Sequence, residues 1–420
     1  MTYEVRPLRP EENKLAWDLG SLAFGYHEQA MPETWGANAP GRSTLGVFDP
    51  AGRLVAKAVD REQGQWFGGR VVPVSGIAGV AVAPELRGRG LGRLVLTSLL
   101  AGARERGAAI STLFDTTPLP YRALGWEEVG ALTYHTVGAR VLAEIRPDPK
   151  TELRPATEAD IPAVYELYRR VARAGTGLME RSGTLFTATP EQLLADYHGF
   201  TVAVDGAGEL VGYASWDRGP GYDASGKLTV DDLIGATPEA TRTLLAMFGG
   251  WASVAPTVVI RLGVEDPVWS LLARVDAKVA SAQPWMLRVV DAPAAVAARG
   301  WPRHLSGTVD LALTDDVCPW HQGNHRLVLD GGQARLEPGG TGAARLTPRG
   351  LAAWYAGAAS PDQLRRAGFL SGGDPDTDDL LRTATAGPAP GWIMSAGSPV
   401  TDAQVGLHRA SWSFQRVSGD

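Results

Sequence analysis

The sequence predicts an α/β plus α+β protein, in which two tandem α/β units precede an α+β domain. Its 420 residues are enough for roughly two to four domains of ordinary size. Two short segments of the first half recur in the same order in the second half. Beyond residue 300 the pattern changes to alternating strands followed by a helix. We therefore predict a first copy at 1–140, a second copy at 141–298 and a C-terminal domain at 299–420.

Composition and charge exclude several classes of protein. Hydrophobic residues make up 44% and charged residues 20% of the chain, as in soluble globular proteins. Lys and Arg number 40 against 46 Asp and Glu, so we expect no basic surface that could bind nucleic acid. No apolar stretch approaches the ~20 residues of a membrane-spanning helix, and the N-terminus lacks the pattern of a signal peptide. With a single cysteine, Cys318, the sequence predicts a cytoplasmic protein without disulfides or membrane partners.

The two repeated segments each combine a strand with a turn signal. Residues 4–7 and 152–155 read E-V-R-P and E-L-R-P, and each precedes an acidic helix start. Residues 49–55 and 205–211 share the pattern D-x-x-G-x-L-V, which is typical of a turn followed by a strand. Two matches in the same order indicate a duplicated unit.

Local patterns then assign the individual elements. Leu15, Leu19 and Leu22 have helical spacing, and a second run of leucines starts at Leu91 and ends before Gly107. In the first copy these patterns predict helices at 11–23 and 91–106 and strands at 44–48, 53–59, 66–82 and 110–114. In the C-terminal domain they predict strands at 307–313 and 325–329 and a helix at 348–359.

The segment 80–93 carries the strongest chemical signal. Gly88, Gly90 and Gly92 remove side chains that would keep an anion away from the backbone N–H groups at the start of the second helix. The dinucleotide-binding fingerprint places its glycines differently, and the Walker phosphate loop of nucleoside triphosphatases requires Gly-Lys-Ser/Thr, so neither fits. The segment therefore predicts a pyrophosphate site, with cationic donors from Arg87, Arg89 and Arg93.

This segment resembles the acyl-coenzyme A signature of the GNAT superfamily of N-acetyltransferases. Arg87, Gly90 and Gly92 occupy the defined positions of R/Q-x-x-G-x-G/A after a V-x-V-x-P strand. Nearly all of residues 1–390 are similar to the enhanced intracellular survival (Eis) group, with tandem GNAT domains and a C-terminal sterol-carrier-like domain; residues 285–295 resemble that group's exit from the middle domain. Residues 230–244, aligned with the glycine loop, contain an acidic pair and a single glycine. The second copy is thus predicted to be degenerate, with one cofactor site per chain.

The resemblance implies an acetyl-CoA-dependent N-acetyltransferase that acts on a small-molecule amine, an aminoglycoside or another natural-product amine. It implies that Val82 offers its backbone N–H to the thioester carbonyl and that Tyr121 is the general acid. A phenol with an ordinary pKa near 10 can protonate a thiolate leaving group. Eis-type proteins assemble into hexamers, so we expect a homo-oligomer and, first, a hexamer. Acetyl-CoA is expected to contact Val80, Val82, Arg87, Gly88, Arg89, Gly90, Gly92 and Arg93.

The general base is an open question at this stage. In the family it is usually the terminal carboxylate of a chain that ends soon after a Gly-Pro-x-Pro-Trp-like stretch. Here that stretch, at 387–392, is followed by 28 residues that end at Asp420. Either Asp420 still acts as the base, or the reaction uses Asp115, His27, Glu28 or no base.

The resemblance also implies the location of the acceptor pocket. It lies at the loop after the first helix and at the end of the strand 110–114. Tyr26 replaces an acidic residue that in the family helps to attract polycationic aminoglycosides, which predicts a flatter or less charged amine. The expected pocket residues are Phe24, Tyr26, Trp35, Phe114 and Thr116.

Other functions remain open from sequence. Cys318, His321 and His325 could suggest zinc, but on a strand-turn-strand segment they would splay apart, so we predict no metal site. A sterol-carrier-like domain could bind an apolar ligand through Trp354 and Tyr355, although aromatics at helical spacing are typical of a core. A protein that binds acyl-CoA without transferring the acyl group is the remaining alternative.

Overall fold

Two mixed β-sheets organise the described part of the computed structural model, which comprises residues 2–26, 30–33 and 35–391. Within these residues the larger sheet has twelve strands and the smaller has five. Elements from both copies build the larger sheet, and the C-terminal domain builds the smaller one. No helix of these residues is long and apolar enough to cross a membrane.

The bounds of the elements follow the predicted order. The first copy contains β1 (Glu4–Pro7), α1 (Asn13–Phe24), β2 (Arg42–Phe48), β3 (Leu54–Phe67), β4 (Arg70–Val82), α2 (Leu91–Glu105), β5 (Ile110–Phe114), α3 (Pro118–Arg122), β6 (Glu127–Gly138) and α4 (Ala139–Ala143). The second contains β7 (Glu152–Pro155), α5 (Ile161–Ala174), α6 (Pro190–Ala195), β8 (Gly199–Val204), β9 (Leu210–Arg218), β10 (Lys227–Gly235), α7 (Pro238–Gly249), β11 (Thr257–Arg261), β12 (Ala277–Val289) and α8 (Ala292–Ala298). The C-terminal domain contains β13 (Ser306–Leu313), β14 (Gly323–Asp330), β15 (Gln333–Pro338), β16 (Ala344–Leu346), α9 (Pro348–Ala356), α10 (Pro361–Arg366), β17 (Leu370–Gly372) and α11 (Pro375–Ala384).

The strand order of the larger sheet reveals an exchange between the copies. The order is β1-β2-β3-β4-β5-β12-β6-β11-β10-β9-β8-β7, which reads symmetrically from both ends. Strand β12 of the second copy lies between β5 and β6, and β6 of the first copy pairs with β11 of the second. Each copy therefore gives its last strand to the junction, and one continuous sheet joins the two.

Strands β4 and β5 separate partway along their length. They pair in parallel only between residues 74–76 and 110–112, although β4 continues to Val82 against β3. A β-bulge at residues 79–80 interrupts the β3–β4 ladder, and Gly79 has φ +54°, which favours glycine. Residues 77–82 of β4 therefore continue without pairing to β5, and we call the gap between these two strands the split.

Helices α1 and α2 cover opposite faces of this part of the sheet. Lys57 of β3 approaches Gly20 of α1, whereas Asp60 of the same strand pairs with Arg106 at the end of α2. The buried face of α1 consists of Ala16, Trp17, Leu19, Gly20 and Ser21. The predicted apolar face was partly wrong, because Leu15 and Leu22 are 44% and 62% exposed.

The C-terminal domain packs its helices on the junction of the large sheet, where α9 contacts β6 and β12. Trp354 and Tyr355 are fully buried, and their polar tips donate to the carbonyl oxygens of Leu381 and Ala295 at 2.9 and 3.0 Å. Both aromatics belong to the core that joins this domain to the sheet. Among the described residues no group of His, Cys, Asp and Glu could hold a metal ion.

Candidate functional site

The glycine loop between β4 and α2 presents backbone N–H groups without a side-chain cap. Gly88 and Gly90 have φ of +77° and +80°, and a Cβ at either position would meet no atom within 4 Å. Gly90 is the N-cap of α2, and the first bond at this end runs from the Leu94 N–H to the Gly90 oxygen at 2.9 Å. The amides that precede Leu94 therefore point out of the helix end, where an anion would be stabilised.

Three arginines surround this loop. Arg87, Arg89 and Arg93 are exposed, and no carboxylate of the described chain forms an ion pair with any of them. Gly92 lies in the first turn of α2, where a Cβ would be 3.8 Å from a methyl group of Val82. The loop, the helix end and the arginines together form a cationic, open cradle.

The equivalent helix end in the second copy is capped by its own side chain. Thr237 is the N-cap of α7, and its Oγ1 accepts from the Ala240 N–H at 3.1 Å. The acidic pair does not lie in this loop, as the sequence alignment suggested, but on β10 at the bulge between Val230 and Asp232. The second copy thus lacks both the glycines and the free helix end.

In the second copy, β10 and β11 pair only over residues 227–230 and 257–260, and the acidic pair of β10 follows this paired segment. Asp232 binds Arg181 at 2.6 Å and Arg261 at 2.5 Å, and these cations hold the pKa of its carboxyl below the usual range. Asp231 accepts from Tyr134 Oη at 2.7 Å, and burial raises the pKa of this carboxyl. Since β10 takes the position of β4 in the symmetric sheet, these groups occupy the region that stays open in the first copy.

Val80 and Val82 lie on the half of β4 that borders the split. The Ala83 N–H donates to the Val55 oxygen of β3 at 2.8 Å. Because successive amides of a strand point to opposite edges, the Val82 N–H is directed to the side of β5. Val80 belongs to the bulge, where the regular ladder with β3 is interrupted. Both backbone positions can therefore meet a ligand that lies in the split.

Tyr121 and Asp115 follow β5 and interact with each other. Tyr121 lies in α3, is half-buried and makes an edge contact with Trp126, whose ring centroid is 6.1 Å away. Burial and the charge of Asp115 raise the pKa of Tyr121 to about 12. Asp115 Oδ1 is buried and accepts no hydrogen bond from the described residues, and burial raises the pKa of this carboxyl as well. A protonated phenol and a poorly solvated carboxylate thus stand at the end of the strand that borders the split.

The expected acceptor side of α1 is aromatic. Trp17 makes edge contacts with Tyr26 and Trp35, with centroid distances of 5.0 and 5.4 Å. Tyr26 is buried, which raises its pKa to about 12, whereas Phe24 and Trp35 are half-buried. Trp17 was missed by the sequence reasoning, although its position among the leucines of α1 was a usable signal.

Phe114 and Thr116 mark the other side of the expected pocket. Phe114 pairs with Trp285 of β12, and Thr116 is exposed in the turn before α3. Gly391, the last described residue, lies near Trp285, because a Cβ on Gly177 would be 2.8 Å from both the Trp285 ring and the Gly391 oxygen. The candidate bases His27, Glu28 and Asp420 lie outside the described residues, so their roles stay predictions.

The sequence analysis also missed a group of cationic side chains on the face of the sheet that α1 covers. Lys57 and Arg61 lie on β3 on the α1 side, and Arg61 pairs in register with Arg42 of β2. Lys57 is only 4% exposed. A lysine inside the apolar run L-V-A-K-A-V, in a chain with few lysines, was the available signal.

Comparisons with known families agree with the fold. Residues 4–129 and 177–289 each match an acetyltransferase (GNAT) domain, and residues 292–392 match a sterol carrier protein domain. These three matches confirm the predicted order of two tandem acetyltransferase folds and a sterol-carrier-like domain.

Similar proteins cover almost the whole chain. A GCN5-related N-acetyltransferase from Kribbella flavida has 31% identity and a TM-score of 0.80, over 94% of this chain and 100% of that one. An uncharacterised N-acetyltransferase of Streptomyces avermitilis is 27% identical over 88% of this chain and 93% of its own length. Eis1 from Mycobacterium abscessus shares the fold, with a TM-score of 0.74, 22% identity and coverage of 94% and 100%. The chain therefore belongs to the GCN5-related N-acetyltransferases and is an acyltransferase with the Eis-like arrangement of two GNAT domains and a sterol-carrier-like domain.

Proposed function

We propose that the protein transfers an acetyl group from acetyl-CoA to a small-molecule amine, with one donor site per chain. The observation that carries this proposal is the contrast between the two helix ends. Gly90 leaves the start of α2 uncapped, whereas Thr237 caps the start of α7. Of the two copies, only the first offers free N–H groups to a pyrophosphate.

In this proposal the loop and the strand hold different parts of the donor. The N–H groups of residues 88–93 and the nearby arginines bind the pyrophosphate. The backbone of Val80 and Val82 meets the pantetheine arm in the split, and the Val82 N–H stabilises the negative charge that develops on the thioester carbonyl oxygen. The acyl carbon is then held beside the acceptor amine.

Two proton transfers complete the reaction. As the amine nitrogen forms its bond to the acyl carbon and the C–S bond breaks, Tyr121 gives its phenolic proton to the departing thiolate. The amine nitrogen loses its own proton to a base, and in this proposal the base is Asp115. This assignment is supported because Asp115 Oδ1 accepts no hydrogen bond from the described residues and burial raises the pKa of the carboxyl. Asp420 remains the alternative base that the family resemblance implies.

The acceptor in this proposal is a small-molecule amine. Of the two classes that the family resemblance implies, the aromatic lining favours another natural-product amine over an aminoglycoside. Tyr26 and its neighbours Trp17 and Trp35 support a flat acceptor, since aromatic rings offer large apolar surface to a planar group.

Turnover of a panel of amines tests this function. Release of free coenzyme A and the mass of the acetylated product would be measured for the native chain, Tyr121→Phe and the control Tyr222→Phe, whose ring is 84% exposed. We expect Tyr121→Phe to lower kcat by about 100-fold or more while coenzyme A still binds. An unchanged kcat would remove Tyr121 from the mechanism, and bound donor without any acetylated amine would favour a non-transferring acyl-CoA-binding protein.

A further inference from the structure

Three cationic side chains converge on the acceptor face of the first copy. Arg42 of β2 and Arg61 of β3 are opposite each other in an antiparallel pair, so their side chains share one face. Lys57 precedes Arg61 by four residues on β3 and therefore lies on the same face. Burial lowers the pKa of Lys57 to about 8 and that of Arg61 to about 10. The positive charge of Arg42 makes a second, smaller contribution to both shifts.

Lys57 is buried between two glycines of neighbouring elements. Its Nζ lies 3.1 Å from the site that a Cβ on Gly20 would occupy and 3.8 Å from the equivalent site on Gly79. Two glycines thus leave space around the ammonium group of a lysine that is only 4% exposed. In the described part of the chain, no carboxylate forms an ion pair with Lys57 or Arg61.

This arrangement differs from that of two other buried charges of the protein. Asp60, on the opposite face of β3, is paired with Arg106 and accepts from Ser75 Oγ at 2.6 Å. Buried Arg288 is paired with Asp315 at 2.8 Å. Buried Arg299 has no ion pair among the described residues, but its guanidinium lies over the rings of Trp301 and Tyr355, 5.0 and 5.3 Å from their centroids. A buried cation without a counter-charge is costly, so its retention at this position indicates a partner that arrives with a ligand.

The location of the cations separates them from the pyrophosphate cradle. Arg61 is opposite Gly76 and Lys57 is opposite Ala81, so both lie beside the part of β4 that precedes the glycine loop. A Cβ on Gly20 would also collide with Tyr26 Oη, which places Lys57 next to the aromatic side of α1. The cations therefore face the expected acceptor.

We propose that the amine acceptor carries an anionic group, a carboxylate or a phosphate, which Lys57 and Arg61 bind while the amino group approaches the thioester. The inference rests on the proposed acetyl transfer and specifies its substrate class. A polycationic acceptor would be repelled by this face, whereas a flat amino acid or an amino phosphate would neutralise it.

Matched pairs of acceptors that differ in one anionic group test the inference. The pairs are tryptophan with tryptamine and O-phosphoethanolamine with ethanolamine, which distinguish a carboxylate from a phosphate. In the native chain kcat/KM should favour the anionic member of at least one pair by about tenfold or more. Lys57→Met and Arg61→Met should reduce that ratio at least tenfold, mainly through KM, without changing coenzyme A affinity. Lys278→Met, at an exposed lysine of β12, should leave the ratio unchanged.

A binding experiment separates this inference from the proposed function. Calorimetry of indole-3-propionate and of indole-3-propionamide would be performed on the coenzyme A complex. Tighter binding of the carboxylate, lost in Lys57→Met, would support the anion site even if none of the amines were acetylated. Equal affinity of carboxylate and amide, together with no preference in either acceptor pair, would overturn the inference. A parallel loss of coenzyme A affinity in both variants would also overturn it, because the cations would then serve the donor.

Discussion

At the scale of single residues, the proposed general acid Tyr121 must be protonated for the thiolate to leave. Burial and the nearby Asp115 carboxylate raise its pKa to about 12. A general acid must be protonated to act, and Tyr121 remains protonated at every pH below that value. Its environment therefore preserves the acid form across the physiological range.

The pH dependence of kcat follows from this pKa. We expect no loss of kcat from deprotonation of Tyr121 between pH 7 and about pH 10, because the phenol titrates above that range. Steady-state rates of the native chain and of Tyr121→Phe across this range check the prediction. An alkaline loss with a midpoint near pH 8 that disappears in Tyr121→Phe would contradict it.

The burial of Lys57 leads to a second prediction, which concerns the free energy of unfolding. Its pKa of about 8 in the folded chain is below its ordinary value of 10.5, so the unfolded chain binds the proton more tightly. The resulting cost, on the order of 3 kcal/mol, is fully present below pH 8 and disappears as the pH rises to about 10.5. Lys57→Met should therefore raise the free energy of unfolding at pH 7 and show a smaller gain near pH 10. Urea unfolding at the two pH values measures this; a destabilised variant at pH 7 would contradict it.

Single residues also mark the limit of the sequence prediction. The glycines and arginines of the loop could be identified because their chemistry is local and contiguous. Lys57 has a local signal as a lysine within an apolar run, but its grouping with Arg61 and Arg42 could not be predicted, because the register of β2 and β3 brings them together. Trp17 was missed since it belongs to a helix whose leucines suggested a different buried face.

At the scale of elements, caps decide which helix end remains available to a ligand. The Thr237 hydroxyl accepts a hydrogen bond from the first turn of α7, whereas Gly90 offers no side chain to the N–H groups in the first turn of α2.

The elements were predicted well where the pattern is local, as for α2 and β5. The run 66–82 was predicted as one strand, whereas Gly68 and Gly69, with φ of +57° and +79°, form a hairpin turn between β3 and β4. The exchange of β6 and β12 could not be predicted, because it depends on pairing between residues far apart in sequence.

The cap of α7 can be tested directly. Thr237→Ala removes the acceptor for the Ala240 N–H and should lower the free energy of unfolding by about 1 kcal/mol. Coenzyme A affinity should not change, since we propose no donor site at this helix. Chemical denaturation and calorimetry on the same sample measure the two quantities, and a weaker coenzyme A complex would mean that the second copy takes part in donor binding.

At the scale of the whole molecule, the C-terminal domain is tied to the turn that carries Tyr121. Arg349 of α9 binds Glu127 at 2.5 Å, and Glu127 also binds Arg122, the neighbour of Tyr121, at 3.1 Å. Glu127 is buried, whereas both arginines are half-buried, so the bridge lies at the edge of the core. The domain thus supports the candidate site from outside, and its core aromatics are engaged in packing.

Assembly is the property of the whole molecule that the resemblance predicts. We expect a homo-oligomer, with a hexamer as the first expectation, and the exposed Leu15 and Leu22 of α1 offer apolar surface for such contacts. Light scattering at micromolar concentration should give a mass well above that of one chain. A 44.5 kDa monomer would contradict this expectation.

The central claim is that the chain holds one donor site, built by the open end of α2. Calorimetric titration with coenzyme A tests it most directly, on the native chain, on Gly90→Asp, which adds a carboxylate to the cradle, and on Thr237→Gly, which opens the other helix. We predict a stoichiometry near one for the native chain and for Thr237→Gly, and strongly weakened binding for Gly90→Asp. Two sites per chain, binding by Gly90→Asp as tight as by the native chain, or no binding at millimolar coenzyme A would contradict it.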